Sequence, residues 1–432
     1  MNLEVKYQLM VKGRALIGRE ILPVSIKIDD NGLISSVKFG TLEGNDQVYD
    51  YNLPGKLIIP GLIDMHVHLR DWKLSYKETI ETGSKAAAAG GFTIVADMPN
   101  TIPPVNTAYK VKERDKLLSN ESFVDYMFYM GVPKSIRDLK ESINLIAGVK
   151  VYPEDWKHLK IIQEILKHNI LTIFHPELHE CINNVGVYGK ERPRSCEVKA
   201  VEKIVEMLSV CKGRVHITHV SVKEAARLIL NFKRKHEKLT FDITPHHLLL
   251  NDTIYSKLDS IAKVNPPLRD VKDNMYLQKL LVEGCVDVVA SDHAPHTLEE
   301  KLKPYPEASP GFPGLETTLP IMLNLSLRGI IPFTRIVEVL CRRPAEILGI
   351  HDLIGELKPG FLGSLTVIDL NLVKKVDPST FISKAKYSPF NGWELKGWPI
   401  ATFVRGKPVY VEGVIMGEKG WGCNLKLFKV RC

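Results

Sequence analysis

Eight apolar, mostly β-branched runs recur between Leu57 and His293, and segments of helical character separate most of them. The runs are LIIPGLIDMHVH, FTIVADM, FVDYMFYMGV, NLIAGVKVY, ILTIFH, RVHITHV, LTFDITPH and VDVVASDH. The spacers include YKETIETGSKAAAA, ERDKLLS, WKHLKIIQEILKH, EVKAVEKIVEMLSV, VKEAARLILNFKRKH and DNMYLQKLLVEG. Strands alternating with helices predict a parallel sheet. Eight such units predict an α/β fold, a (β/α)8 barrel of the TIM type.

The two ends of the chain have a different texture. QLMVKGRAL and VSIKIDD-NG-LISSVKFG are rich in β-formers, and Asn31-Gly32 between two such runs signals a hairpin. Beyond residue 360, SLTVIDLN, ATFVRGKPVYVEG and LKLFKVRC read as strands again. The expected domains are therefore a barrel over 56–360 and a smaller β-sandwich assembled from 1–55 and 361–432.

Composition excludes several classes. The net charge of +8 is spread over 432 residues without a basic arm or stripe. That argues against nucleic-acid binding, while a mildly basic surface suits an anionic small-molecule substrate. The seven cysteines form no CxxC pair, as expected in a reducing cytoplasm. The N-terminus lacks the apolar core of a signal peptide, and no apolar run is long enough to span a bilayer.

Chemistry is expected at the C-terminal ends of barrel strands. The first run ends in His66 and His68, the second near Asn100, the fifth in His175, the sixth in His219 and the eighth in Asp292, while the fourth carries Lys150. His66 and His68 lie two apart, so on a strand they share a face. His216 and His219 lie three apart and are expected on opposite faces. His219, nearer the strand end, is taken as the inward residue, and His216 is expected outside the barrel. A buried lysine loses its proton readily, and its neutral amine can add CO2 to give a carbamate that bridges two cations. The expected set is His66, His68, Lys150 and Asp292 on one metal, with Lys150, His175 and His219 on the other. Nitrogen and oxygen donors suit zinc. Two such ions are machinery for adding water to an amide or imide, with Asp292 as general base.

The motifs PGLIDMHVHLR, DMPNT, GVKVY, HPE, HITHVS, TPHHLLL, NPPLR, SDHAPH and GFPGLET resemble, in order and spacing, those of dihydroorotases of the amidohydrolase superfamily. The tail KYSPFNGWELKGWPIATFVRGKPVY resembles that family's ending. The resemblance implies reversible closure of N-carbamoyl-L-aspartate to L-dihydroorotate in pyrimidine synthesis. It implies a hydroxide between two zinc ions bridged by carboxylated Lys150, and Asp292 as the acid/base. It further implies that Arg70, Asn100 and His296 bind the substrate carboxylate, that His68 and Asn265 face the substrate, and that Pro310 and Gly311 offer main-chain contacts. His246 and His247 are read as supporting or packing residues. A homodimer is usual for such enzymes, and association with other enzymes of the pathway is a further implied partnership.

The sequence departs from the family at Asp71-Trp72-Lys73, where many relatives have Glu-Pro-Gly, and at Gly363-Ser364-Leu365, where Ala-Asp-Leu is common. PEDWKHLK, after Lys150, is a lid candidate. The alternative activity is a related cyclic amidase, a hydantoinase or allantoinase, which has no need for a carboxylate clamp of this kind. A metal-free scaffold is disfavoured because all six expected ligands are present.

Overall fold

The computed structural model describes residues 7–40, 47–183 and 188–431. Eight parallel strands run in sequential order: Leu62–Val67, Phe92–Asp97, Asp125–Gly131, Gly148–Val151, Thr172–Phe174, Val215–Ile217, Leu239–Ile243 and Val288–Val289. The ring closes just beyond the last strand. Val67 bridges His293 in parallel, and the His68 N–H donates to the His293 carbonyl at 2.8 Å. The interior is packed rather than open. Ile63, Met65, Ile94, Ala96, Met127, Tyr129, Ile173, Val288 and Ala290 fill it with buried side chains.

A separate nine-stranded mixed sheet draws on both chain ends, as expected of the smaller domain. It includes the Asn31-Gly32 hairpin, formed by Glu20–Asp29 and Ile34–Phe39. Gly32 sits there at φ 77°, which a side chain would disfavour.

Two segments differ from expectation. The run Leu57–His68, read as one strand, is two. Lys56–Pro60 belongs to the terminal sheet, antiparallel to Leu365–Lys375, and only Leu62–Val67 enters the barrel. Gly61 is the switch between the two sheets. A Cβ there would lie 2.2 Å from Thr93 Oγ1, so the backbone passes where no side chain fits. LKLFKVRC, read as a strand, contains a helix over Leu425–Arg431, and Cys432 lies outside the described residues. Asn424 starts the helix by accepting from the Lys426 N–H, and its amide donates to Asp115 and to the Leu145 carbonyl. Leu425 is fully buried and Phe428 half-buried, one turn apart, against the end of the barrel opposite the strand C-termini. The apolar spacing suited either period, and the anchor at Asn424 selects the helix.

The Gly61 junction makes a stability prediction. Gly61→Ala should destabilise the protein by about 1–3 kcal/mol, the usual cost of overpacking a filled site. Denaturant unfolding with an unchanged slope and a lowered midpoint is the expected reading.

Candidate active site

The first and last barrel strands meet at a buried carboxylate. Asp64 Oδ1 accepts the His66 N–H at 3.0 Å and the Ser291 N–H at 3.3 Å, and Oδ2 lies 3.2 Å from the same Ser291 nitrogen. Burial pushes its pKa up to about 7. This contact sets the level of the two histidines against that of Asp292. His66 Nε2 and His68 Nε2 lie 3.2 and 3.4 Å from Asp292 Oδ1. Ligand atoms of these three residues fall within 4.8 Å of one another, a group able to hold a metal ion.

The second group stands beside it. The His219 ring centroid is 4.5 Å from that of His175 and 5.3 Å from that of His66. Lys150 is fully buried beneath them, its Nζ donating to Thr218 Oγ1 at 3.1 Å. Burial lowers its pKa to about 7, against the opposing pull of Asp242 and Asp292. Burial, with the nearby cations, also holds His66 and His219 well below the usual imidazole value. The Nδ1 atoms of both rings are buried without a hydrogen-bond partner. Buried neutral imidazoles with spare donor atoms, beside a lysine that gives up its proton easily, fit a cation site.

His216 departs from expectation. Both His216 and His219 are brought to the inside of the barrel. The strand stops at Ile217, and His219 turns inward with φ 38°. His216 pairs in register with inward-facing Ile173, so it points inward too. It is fully buried, with Nε2 2.9 Å from Asp242 Oδ2 and Nδ1 2.9 Å from Thr240 Oγ1. The other Asp242 oxygen accepts the His219 N–H at 2.6 Å. His216 thus braces the carboxylate that holds the backbone of His219.

One cavity of about 420 Å3 collects His66, His68, Arg70, Asn100, His175, His219, Asn265, Asp292, His296, Pro310 and Gly311. Lys150, fully buried, does not line it. Asn100 Oδ1 is 2.7 Å from His68 Nδ1, which orients that ring. Arg70 is buried, with Nε donating to the Pro295 carbonyl at 3.3 Å. His246 and His247 do not line the cavity. His247 Nε2 meets the Pro266 carbonyl at 3.0 Å, steadying the chain beside Asn265.

Two residues outside the expected set hold these groups in place. Arg114, in the helix Ala108–Glu121, is fully buried and clasps Asp97 at 2.9 and 2.7 Å. Arg114 also donates to the Arg70 carbonyl, and Asp97 accepts the Leu69 N–H. Together they hold the turn in which Arg70, Asp71 and Trp72 all have positive φ. Asp71 accepts from the Trp72 and Ile80 N–H groups, so the departure from Glu-Pro-Gly brings its own cap. Glu177 is the other. His175 Nε2–H donates to it at 2.7 Å, which leaves Nδ1 with the ring's lone pair. Burial alone would raise Glu177, but Arg192, His175 and Arg269 hold it down to about 2. The HPE motif contained that signal, whereas nothing in ERDKLLS marked Arg114 as buried. The lid candidate is a short turn at Pro153–His158 leading into a helix, and Trp156 packs it down by donating to the Glu177 carbonyl at 3.2 Å. Gly363-Ser364 immediately precedes the strand Leu365–Lys375 of the terminal sheet and does not line the cavity.

Comparison with known proteins matches residues 57–409 to the model of the Amidohydrolase family. This chain belongs to the amidohydrolase family. It is 33% identical to the dihydroorotase of Bacillus cytotoxicus, over 93% of this chain and 98% of that protein. It is 34% identical to the dihydroorotase of Pyrococcus furiosus, over 95% and 94% respectively. Among solved structures, the L-hydantoinase (dihydropyrimidinase) of Arthrobacter aurescens superposes with a TM-score of 0.90 at 28% identity, covering 96% of this chain and 99% of that one. A dihydropyrimidinase from Brevibacillus agri, 21% identical with a TM-score of 0.88, shares the fold. The barrel with its terminal sheet is thus an amidohydrolase architecture. No helix among the described residues is long and apolar enough to cross a membrane.

Glu177 makes the metal prediction. Glu177→Gln keeps the shape but removes the charge that orients His175, and metal affinity should fall about 10–100-fold. Competition with a chromophoric chelator, followed by metal analysis of the recovered protein, checks this. Unchanged retention would remove Glu177 from the site.

Proposed function

We propose that the protein is a dihydroorotase, interconverting L-dihydroorotate and N-carbamoyl-L-aspartate in pyrimidine synthesis. The observation that carries the reading is Arg70, a buried guanidinium lining the same cavity as the His66, His68 and Asp292 cluster. A substrate ring bearing a carboxylate matches that cation, and a guanidinium fork suits a carboxylate. The relatives named dihydroorotase, about one-third identical over nearly the whole chain, support the same choice.

The residues divide the work as follows. Arg70, with Asn100 and His296 beside it, binds the carboxylate and sets the ring's orientation. Asn265 and the main chain at Pro310 and Gly311 hold the ring edge. Two zinc ions, held by His66, His68, Asp292, His175, His219 and a carboxylated Lys150, would supply Lewis acidity and activate water. Carboxylation joins the neutral Lys150 amine to CO2 and releases one proton. In hydrolysis, Asp292 takes a proton from the water that adds to the ring carbonyl carbon. It returns that proton to the ring nitrogen as the C–N bond breaks, and the reverse sequence closes the ring. The free cysteines among the described residues suit a cytoplasmic enzyme.

A second reading is favoured by the Arthrobacter aurescens structure, which points to a hydantoinase or dihydropyrimidinase. Those names describe cyclic amides without an obligatory ring carboxylate, for which a buried Arg70 would be an unused charge. Parallel assays on L-dihydroorotate, hydantoin, dihydrouracil and allantoin separate the readings. L-Dihydroorotate should turn over fastest, and faster turnover of another ring would overturn the assignment. Asp292→Ala should lower kcat by about 10^2–10^4, the range for losing a general acid/base. Arg70→Met should raise KM for dihydroorotate by about 10–150-fold, as expected for losing a charged hydrogen bond, with less effect on hydantoin.

A further inference from the structure

His296 sits between two cations, and its hydrogen bonds can be assigned from what each neighbour is able to do. Lys77 Nζ lies 3.0 Å from His296 Nδ1. An ammonium has donors and no lone pair, so Nδ1 must be the acceptor. The other ring nitrogen, Nε2, then carries the proton and donates to the Pro310 carbonyl at 3.0 Å. Arg70 Nη2 lies 3.3 Å from the same Nε2. A guanidinium also lacks a lone pair, so two N–H groups face each other there and no hydrogen bond joins them. This Arg70 nitrogen therefore keeps its donor for an incoming acceptor.

Lys77 is itself held in place. It forms an ion pair with Glu300 at 2.9 Å, and Tyr76 OH donates to the same Glu300 oxygen at 3.2 Å. Thr297 and Glu300 form the capping box of the short helix Leu298–Lys301, so the ammonium is tied to the loop that follows the last barrel strand. Burial, together with Arg70, Lys77 and Lys301, lowers the His296 pKa to about 2, consistent with a neutral ring.

We propose that Lys77 is a positioning residue for the substrate carboxylate: by donating to Nδ1 it fixes the tautomer of His296 and keeps the Arg70 guanidinium uncommitted. Without the ammonium, the ring proton can move to Nδ1, toward Glu300 Oε2 at 3.4 Å. Nε2 then becomes an acceptor for Arg70, and the clamp pairs with the protein instead of with substrate. The inference rests on the dihydroorotase reading for the identity of the anion, while the tautomer itself does not.

The test uses the metal-loaded full-length enzyme and L-dihydroorotate. Lys77→Met should raise KM about tenfold or more, with kcat falling less than KM rises. Lys77→Arg, which keeps a cationic donor, should recover most of the loss. In the double variant Lys77→Met/His296→Ala, KM should equal that of His296→Ala alone, because Lys77 acts through that ring. An unchanged KM in Lys77→Met, or effects that multiply in the double variant, would overturn the proposal. A readout without turnover is 15N NMR of ring-labelled histidine, with His296 identified by its loss in His296→Ala. The wild-type ring should be protonated at Nε2, and Lys77→Met should shift protonation to Nδ1. A wild-type ring protonated at Nδ1, or no change in the variant, also overturns it. If the wild-type enzyme leaves dihydroorotate untouched, the functional reading fails, and the NMR result still decides the role of Lys77.

Discussion

The carboxylate of Asp64 joins the two edges of the barrel at the level where the site is built. It accepts the backbone of His66 from the first strand and of Ser291 from the last. With the His68 N–H to His293 carbonyl bond, it brings together histidines and an aspartate that are far apart in sequence. The edge strands share one bridge, Val67 to His293, so this carboxylate and that backbone bond specify the seam. Asp292 follows Ser291 directly, and its φ of 45° turns the side chain over the His66 and His68 rings. The cluster is therefore a product of closure.

Burial then decides the protonation states. A mouth holding His66, His68, His175, His219 and Lys150 would be strongly cationic in water. Inside the protein, desolvation disfavours every one of those charges, and the imidazoles stay neutral with their lone pairs available. Charge is kept where a partner meets it. Asp97 and Arg114 are both fully buried and hydrogen-bonded on several sides, and Glu177 is met by Arg192 and His175. A buried pair of this kind adds little net stability, but losing one partner strands the other. What the pair at Asp97 specifies is geometry, the positive-φ turn that aims Arg70.

The positions of the clustered side chains are legible because a barrel strand is apolar until its end, and polar residues there stand out. His66, His68, His175, His219 and Asp292 all carry that signature. The residues that support them were illegible for a physical reason. Arg114 lies in a helix whose charged residues look like a solvated face, and its burial depends on Asp97 and on the Arg70 carbonyl from distant segments. His216 was misplaced because alternation was carried past Ile217, where the strand has already ended. Leu57–Pro60 reads as part of the barrel because nothing polar interrupts the run, and the steric demand on Gly61 comes from Thr93. At Arg114 and Gly61 a long-range contact overrides the local pattern, whereas His216 turns on where the strand ends.

The support is also split in a way that bears on specificity. The cluster stands on strand ends, braced by Asp64, Asp242 and Glu177, whereas the groups proposed to bind substrate stand on loops with supports of their own. Arg70 depends on Arg114, and His296 on Lys77. The Pro310–Gly311 segment depends on fully buried Lys301, which donates to the Lys263 and Ser309 carbonyls at 2.9 Å. Gly311 has no alternative residue, since a Cβ there would lie 2.7 Å from Ala294. Strand-borne chemistry and loop-borne recognition can then change independently. On the dihydroorotase reading proposed above, the loop that carries Arg70, and not the strand-end cluster, would decide which cyclic amide the cavity accepts.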